Sequence, residues 1–275
     1  MKNRITAAMQ VWNLVKGIPT DQIKIEMAYP ARLALLGSEA NVDALLLRLD
    51  RERAQGSPRA YDGCDIASFV TRLSDGQTAP ANEPVLNADL VAGAETELIY
   101  VLARILSDRP ELSYALAGRF GAFRPLVIAR LISEYSSLNA KLAGLTALPG
   151  ILPYGDWLLL FTAAGDLVAL TRNQMELFLK IAACYSLPPD MRQRVAEFTI
   201  VVGGAFLWRA AARQVLGLVP AGIGVAVKAA VAYGGTYAIG RAAVAYYSSG
   251  GHRATAADVR QYFKEGLKAH RPNLW

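Results

Sequence analysis

The side chains best placed for acid–base chemistry are Asp156 and Asp166, which bracket the apolar segment WLLLFTAAG. Two carboxylates can act as general acid and general base when their surroundings separate their pKa values. No histidine and no metal-ligand pattern lies near them in the sequence. Asp156 precedes an apolar helix and is interpreted as an N-cap that accepts backbone N–H bonds. We therefore predict no catalytic residues and expect a protein that is not an enzyme.

The cysteines and histidines are too few and too dispersed for a metal centre or a disulfide framework. Cys64 and Cys184 lie far apart in the chain, and each is interpreted as a small buried apolar residue. His252 and His270 lie near the C-terminus without ligand spacing. The sequence predicts neither a metal nor a cofactor.

A strand–turn–helix pattern at residues 30–54 is the context in which a phosphate-binding loop would lie. Counting from Gly37, the second glycine position is Val42, the lysine position is Asp43 and the hydroxyl position is Ala44. Without the lysine no cation faces the phosphates, and Asp43 would repel them. We predict a degenerate loop that binds neither GTP nor ATP.

The composition is unusually apolar, with 53% hydrophobic and 19% charged residues, against about 25% charged in average usage. The net charge is +6, but the basic residues are scattered and form no run of five. The pattern indicates that the positive charge serves either binding to a membrane surface or general solubility. It does not indicate a nucleic-acid partner.

Periodicity predicts two regions. Short strands are expected at residues 33–36, 65–70 and 85–90, and strand signals stop after that point. The predicted fold is mainly α: a helical bundle with a Gly/Ala-rich helical hairpin, preceded by a small reduced α/β domain. The predicted domains are residues 1–90 and 91–275.

Three helices have clear sequence signatures. Thr171 with Gln174 is interpreted as a capping box that begins one helix, and Thr255 with Asp258 begins the last. The helix that begins near Pro125 carries one apolar stripe, predicted to be core: Ile128, Leu131, Tyr135, Leu138, Leu142 and Leu145.

The N-terminal residues 2–18 form an amphipathic pattern that includes Trp12. Two interpretations stay open: an interfacial helix with a tryptophan anchor, or a helix packed on its own domain.

A ladder of small residues follows the hinge at residues 218–224 and lets another helix approach closely. The expected partner is the preceding helix, at about residues 191–216, in an antiparallel hairpin with residues 221–247. The ladder consists of Gly222, Ala226, Ala230, Gly234, Ala238 and Ala242.

Polar residues interrupt the apolar segments and are candidate polar partner sites: Asp156, Asp166, Gln174, Arg209 and Arg213. A charge at the bilayer centre costs about 2.5–3.5 kcal/mol on insertion scales. Ordinary spanning helices are therefore not expected.

Segments 139–157, 167–187 and 212–247 carry further marks: Asn139, Pro/Gly breaks before Asp156, Leu170-Thr171 with Gln174, and a Gly/Ala-rich helix ending in Gly240-Arg241. Over about residues 110–248 the chain resembles the uncharacterised bacterial family known as domain of unknown function 697. The resemblance implies a helical domain that often follows a GTPase domain and is commonly expected in membranes. It implies no catalytic residues, and the N-terminal part would be a pseudo-GTPase remnant.

Three functional hypotheses follow, of which a nucleotide-binding enzyme is the least favoured because the lysine and the hydroxyl of a phosphate-binding loop are missing. The first is a non-enzymatic, membrane-associated helical protein at the cytoplasmic face of the membrane, including the inner membrane. The second is a soluble all-helical module in the cytoplasm that dimerises or binds a protein partner and regulates a separate GTPase.

Overall fold

The computed structural model describes residues 12, 16–50, 69–74, 76–80, 83–91, 93–145, 163–203 and 224–270. For residues 163–167, 202–203 and 224 it describes the backbone only.

The α/β part contains a three-stranded parallel sheet in the order β2-β1-β3. The central strand is completely apolar and its first three residues are fully buried, as expected for a strand covered on both faces. In chain order the elements are α1 (Asp21–Met27), β1 (Leu33–Leu36), α2 (Glu39–Leu49), β2 (Val70–Leu73), β3 (Val85–Asn87) and α3 (Ala88–Val91).

The first predicted strand is confirmed, whereas the other two have different bounds. Only Val70 of the predicted second strand lies in β2. The third strand ends at Asn87 because the Asn87 side-chain oxygen accepts from the backbone N–H groups of Asp89 and Leu90, at 3.0 and 3.3 Å. This local turn replaces the ladder bonds that would have continued the strand.

The rest of the described chain is helical, so the predicted fold class is confirmed. The helices α6, α7 and α9 pack against one another, and α10 lies on α9. The elements are α4 (Glu95–Asp108), a 3₁₀ turn (Pro110–Leu112), α5 (Ser113–Arg119), α6 (Arg124–Leu145), α7 (Ala163–Cys184), α8 (Met191–Gly203), α9 (Gly224–Ser248) and α10 (Ala256–Ala269).

One continuous apolar cluster joins the two regions. It extends from Leu33 and Leu86 in the sheet to Phe178 in α7 and Tyr247 in α9. The predicted domain boundary at residue 90 stays a prediction, and buried contacts cross it.

The predicted apolar stripe of α6 is correct in its first half and wrong in its second. Leu138 and Leu145 are 42% and 59% exposed, and the core-facing positions are taken by small and polar residues. This surface is needed because α9 lies too close to α6 for leucine side chains to fit between them. The buried residues of this half are Ser136, Asn139, Ala140 and Ala143.

The capping box predicted at Thr171 is wrong, whereas that of the last helix is confirmed. α7 begins at Ala163, so Thr171 and Gln174 lie inside the helix, where both are buried. The largely apolar residues before Thr171 continue the helix, so the cap signal at Thr171 is not used. In α10 the Thr255 hydroxyl accepts from the Asp258 N–H at 3.2 Å, and the Asp258 carboxylate accepts from the Thr255 N–H at 2.8 Å.

The described part of the N-terminal segment lies against the protein. Trp12 is half-buried on the core cluster, and the Arg172 guanidinium donates to the Gly17 carbonyl at 2.8 Å. Trp12 therefore has the packed arrangement, whereas residues 2–11 and 13–15 of the predicted helix lie outside the described residues.

A buried arginine joins the ends of two helices. The Arg124 Nε donates to the carbonyls of Ala117 in α5 and Cys184 at the end of α7, at 3.2 and 2.8 Å. Its guanidinium also lies 4.5 Å from the centre of the Tyr185 ring. Helix C-termini leave carbonyls without intrahelical partners, and this arginine supplies the missing donor.

We expect Arg124→Met to lower the free energy of unfolding, because the carbonyls of Ala117 and Cys184 lose a buried donor. An unsatisfied buried group costs about 1–3 kcal/mol. Chemical denaturation measures the effect, with Arg130→Met, at an exposed position of the same helix, as the matched control. Equal stability of the two variants would contradict the role assigned to Arg124.

Candidate functional sites

The degenerate phosphate-loop position is a tight turn. α2 begins at Glu39, so only Gly37 and Ser38 separate it from β1. Such a turn is too short to wrap a phosphate group, which in a P-loop is cradled by several backbone N–H groups. Asp43, which occupies the lysine position, points to solvent and forms an ion pair with Arg72 at 2.6 Å.

The side chain that faces this turn is Asp89, from the segment after β3. Its carboxylate accepts from the Ser38 backbone N–H at 3.0 Å, the Ser38 hydroxyl at 3.1 Å and the Asn41 side-chain amide at 2.8 Å. The Asn41 bond, followed by the Ser38 backbone bond, holds the pKa of Asp89 below its ordinary value. Sequence analysis missed Asp89 because it assigned residues 85–90 to a strand.

A buried polar cluster joins α6, α7 and α9. The Thr236 hydroxyl oxygen accepts from the side-chain amides of Asn139 and Gln174, at 2.8 and 3.3 Å. The Asn173 amide donates to the Asn139 side-chain oxygen at 2.7 Å. The cluster brings together Asn139 and Gln174, two marks of the family resemblance, whereas no pattern in the sequence pointed to Thr236. Its chemistry is that of a structural hydrogen-bond network, since its members are neutral amides and a hydroxyl.

A second polar group ties α8 to α9. The Arg194 guanidinium, 1% exposed, pairs with Glu197. The Tyr247 hydroxyl donates to the same Glu197 oxygen at 2.8 Å. Burial is the largest cause of the raised pKa of Tyr247, so the phenol stays protonated and acts as a hydrogen-bond donor.

One member of the small-residue ladder, Gly234, lies against the last helix; residues 204–216 of the helix expected as the partner of the ladder lie outside the described residues. A Cβ on Gly234 would lie 3.1 Å from the Phe263 ring and 3.2 Å from the Phe263 carbonyl oxygen, both in α10. Reciprocally, a Cβ on Gly266 would lie 2.9 Å from the Gly234 Cα. The closest partner of Gly234 is therefore the last helix. Of the other ladder residues, Ala238 and Ala242 are buried, Ala230 is half-buried, Ala226 is exposed, and Gly222 lies outside the described residues.

The tightest approach of α9 to the bundle is at Gly240. A Cβ there would lie 2.6 Å from Ile132 Cγ1 in α6. With the Asn139–Thr236 bond and the proximity of Gly144 to Ala229, this contact makes α6 and α9 antiparallel. Gly240 is not a member of the predicted ladder, although the Gly240-Arg241 pair belongs to the resemblance.

Several candidate residues lie partly or wholly outside the described part of the chain. Asp156, Arg209 and Arg213 lie outside the described residues, and Asp166 is placed by its backbone alone, in the first turn of α7. Within the described ranges no three His, Cys, Asp or Glu side chains are grouped as metal ligands. Cys184 is fully buried, and burial raises the pKa of its thiol to about 12.

The exposed side of α10 is basic. Arg260, Lys264 and Lys268 recur at four-residue spacing and are all exposed, whereas Val259 and Gly266 are buried against the protein. Arg241 of α9 is exposed beside this helix, with its guanidinium 5.4 Å from the centre of the Tyr262 ring. Among the described helices, none is long and apolar enough to cross a bilayer.

Comparison of the chain with protein-family models, with curated proteins and with solved structures gives no match. The family resemblance therefore stays a prediction that rests on the residues that carry it.

We expect Gly240→Ala to destabilise the protein by about 1–3 kcal/mol, typical of overpacking, although alanine is the better helix former by about 1 kcal/mol. The added methyl would collide with buried Ile132 and contact Leu177. Gly144→Ala in α6 is the control, since its Cβ would meet nothing closer than 3.9 Å. Thermal melts of both variants test this, and a Gly240→Ala protein as stable as the control would refute the close approach.

We expect Thr236→Val to lower the free energy of unfolding by about 1–3 kcal/mol, because it leaves the amides of Asn139 and Gln174 without their common acceptor. The matched control is Ser136→Ala, which removes a buried hydroxyl that has no hydrogen-bond partner among the described residues. The control is expected to be neutral or stabilising. Urea denaturation compares the two, and the reverse order of stabilities would rule out the network.

Proposed function

We propose that this protein is a non-enzymatic peripheral membrane protein whose basic C-terminal helices lie on the anionic headgroups of the cytoplasmic leaflet. The observation that carries the proposal is the row of exposed cations on α10, Arg260, Lys264 and Lys268. Anionic lipids attract such clusters with about 1 kcal/mol per lysine or arginine near the surface.

The charge of the chain is concentrated in this region. Residues 224–270 contain six basic and two acidic side chains, a net +4 out of +6 for the whole protein. Of the acidic side chains, Asp258 is engaged in the helix cap. α10 also carries Glu265, so the helix by itself has a net charge of +1, and the cationic character comes from the row of Arg260, Lys264 and Lys268 together with Arg241 of α9.

The attachment proposed is electrostatic rather than insertional. The apolar side of α10, with buried Val259 and half-buried Phe263, is already packed on α9. Trp12 likewise lies against the core, and an N-terminal tryptophan anchor is not part of the proposed attachment. Binding of this kind weakens steeply with salt, because the Debye length falls from about 10 Å at 0.1 M to about 3 Å at 1 M.

The non-enzymatic part of the proposal is supported by the β1–α2 turn. The lysine position is an aspartate paired with Arg72, and the Asp89 carboxylate stands where a phosphate would have to bind. We therefore propose a scaffolding or recruiting role for the protein at the membrane surface.

We expect the triple variant Arg260→Gln, Lys264→Gln, Lys268→Gln to bind anionic vesicles about 100-fold more weakly, from about 1 kcal/mol per cation. The affinity is measured by co-sedimentation with phosphatidylcholine vesicles that contain roughly 30% phosphatidylglycerol as the anionic lipid. Pure phosphatidylcholine vesicles are expected to bind neither protein.

The control variant removes three exposed cations elsewhere: Lys24→Gln, Arg104→Gln and Arg130→Gln. It should bind like the wild type if the α10 surface is responsible. Equal losses in both variants would indicate a general charge effect and overturn the assignment. A wild-type protein that binds no anionic vesicles but forms a stable dimer would favour the alternative, a soluble interaction module.

A further inference from the structure

The turn between β1 and α2 lies at the crevice where α/β sheets of this topology bind ligands. The chain passes from β1 to β2 on one side and then to β3 on the other, so the strand order reverses between β1 and β3. In open α/β sheets, ligands bind outside the carboxyl ends of the strands at this switch point. At this edge an open cleft of about 510 Å³ lies between the β1–α2 turn and the end of β2, bordered by Gly37, Ser38, Arg72 and Ser74, and Asp89 reaches it from the β3 side.

The position that an anion would take in this crevice is already filled. The N-terminus of the eleven-residue α2 carries partial positive charge and N–H groups without intrahelical partners. The Asp89 carboxylate, from 51 residues further along the chain, takes the Ser38 N–H, the Ser38 hydroxyl and the Asn41 amide. These are the kinds of donor that a phosphate would use.

The turn itself is shaped around this carboxylate. Gly37 has φ +141°, and a Cβ at this residue would lie 3.0 Å from the Asp89 Cγ. On the other side, the Asn87 side chain holds the backbone N–H of Asp89 at 3.0 Å and so fixes where the aspartate leaves the sheet. Features on both sides of the crevice thus position one side chain.

We infer that Asp89 is an internal ligand of the α/β unit: its carboxylate occupies the anion position at the switch point and locks the segment after β3 to the N-terminus of α2. The unit is closed against phosphates by its own chain. This inference goes beyond the missing lysine, because the position is occupied as well as incomplete. It is also independent of the basic surface of α10.

Amide hydrogen exchange of Ser38 tests the lock. The first backbone bond of α2 runs from the Val42 N–H to the Ser38 carbonyl, so the protection of the Ser38 N–H itself reports on Asp89. We expect Asp89→Ala to lose most of this protection, and Asp89→Asn to lose part of it because its amide oxygen still accepts. Asp43→Asn, which removes a carboxylate of the same helix that pairs with Arg72, is expected to leave Ser38 protected.

Overall folding is monitored by the exchange of core amides in α7, which all variants should retain. The lock would be refuted if the Ser38 amide proton exchanged in both Asp89 variants at the same rate as in the wild-type protein. It would also be refuted by a wild-type Ser38 amide NMR resonance that shifts on titration with pyrophosphate, since the anion position would then be open. A Ser38 resonance that does not respond to pyrophosphate is the expected result, whatever the anion does at the cations of α10.

Discussion

The close approach of α9 to its neighbours is the constraint on which the rest of the helical part depends. On one side Gly240 lets α9 contact Ile132 of α6, and on the other Gly234 meets Gly266 of α10. Both contacts are too short for a methyl group to fit without movement of the neighbour. Small residues thus form two interfaces of α9. Close glycine contacts hold α10 on the bundle in the same way as they hold α9 against α6.

Close packing by small residues is poor at fixing register, because glycine and alanine surfaces are nearly featureless. The hydrogen bonds of Thr236 to Asn139 and Gln174 supply the missing specificity. An axial shift of α9 would break both of these buried hydrogen bonds, which is costly in a low-dielectric interior. Arg124, which joins the carbonyl ends of two helices, does the same at the other end of α7.

In the α/β part, a charged side chain rather than a small one holds two elements together. A helix N-terminus beside a parallel sheet attracts an anion, and this chain provides one from its own Asp89. The internal carboxylate accepts from the Ser38 N–H and hydroxyl and from the Asn41 side-chain amide, beside the first turn of α2. The functional surface that we propose is the cationic side of α10 rather than this crevice.

The sequence by itself determined the fold class, the first strand, the existence of the main helices, and the cap of the last helix at Thr255. These features depend on local periodicity and on hydrogen bonds between residues a few positions apart.

Tertiary structure decided the rest, as three residues illustrate. Leu138 reads as core but is exposed, because α9 approaches α6 too closely for it. Thr171 reads as a cap but lies within α7, because the helix continues over apolar residues before it. Asp89 reads as part of a strand but reaches Ser38, a contact across 51 residues that no local pattern encodes.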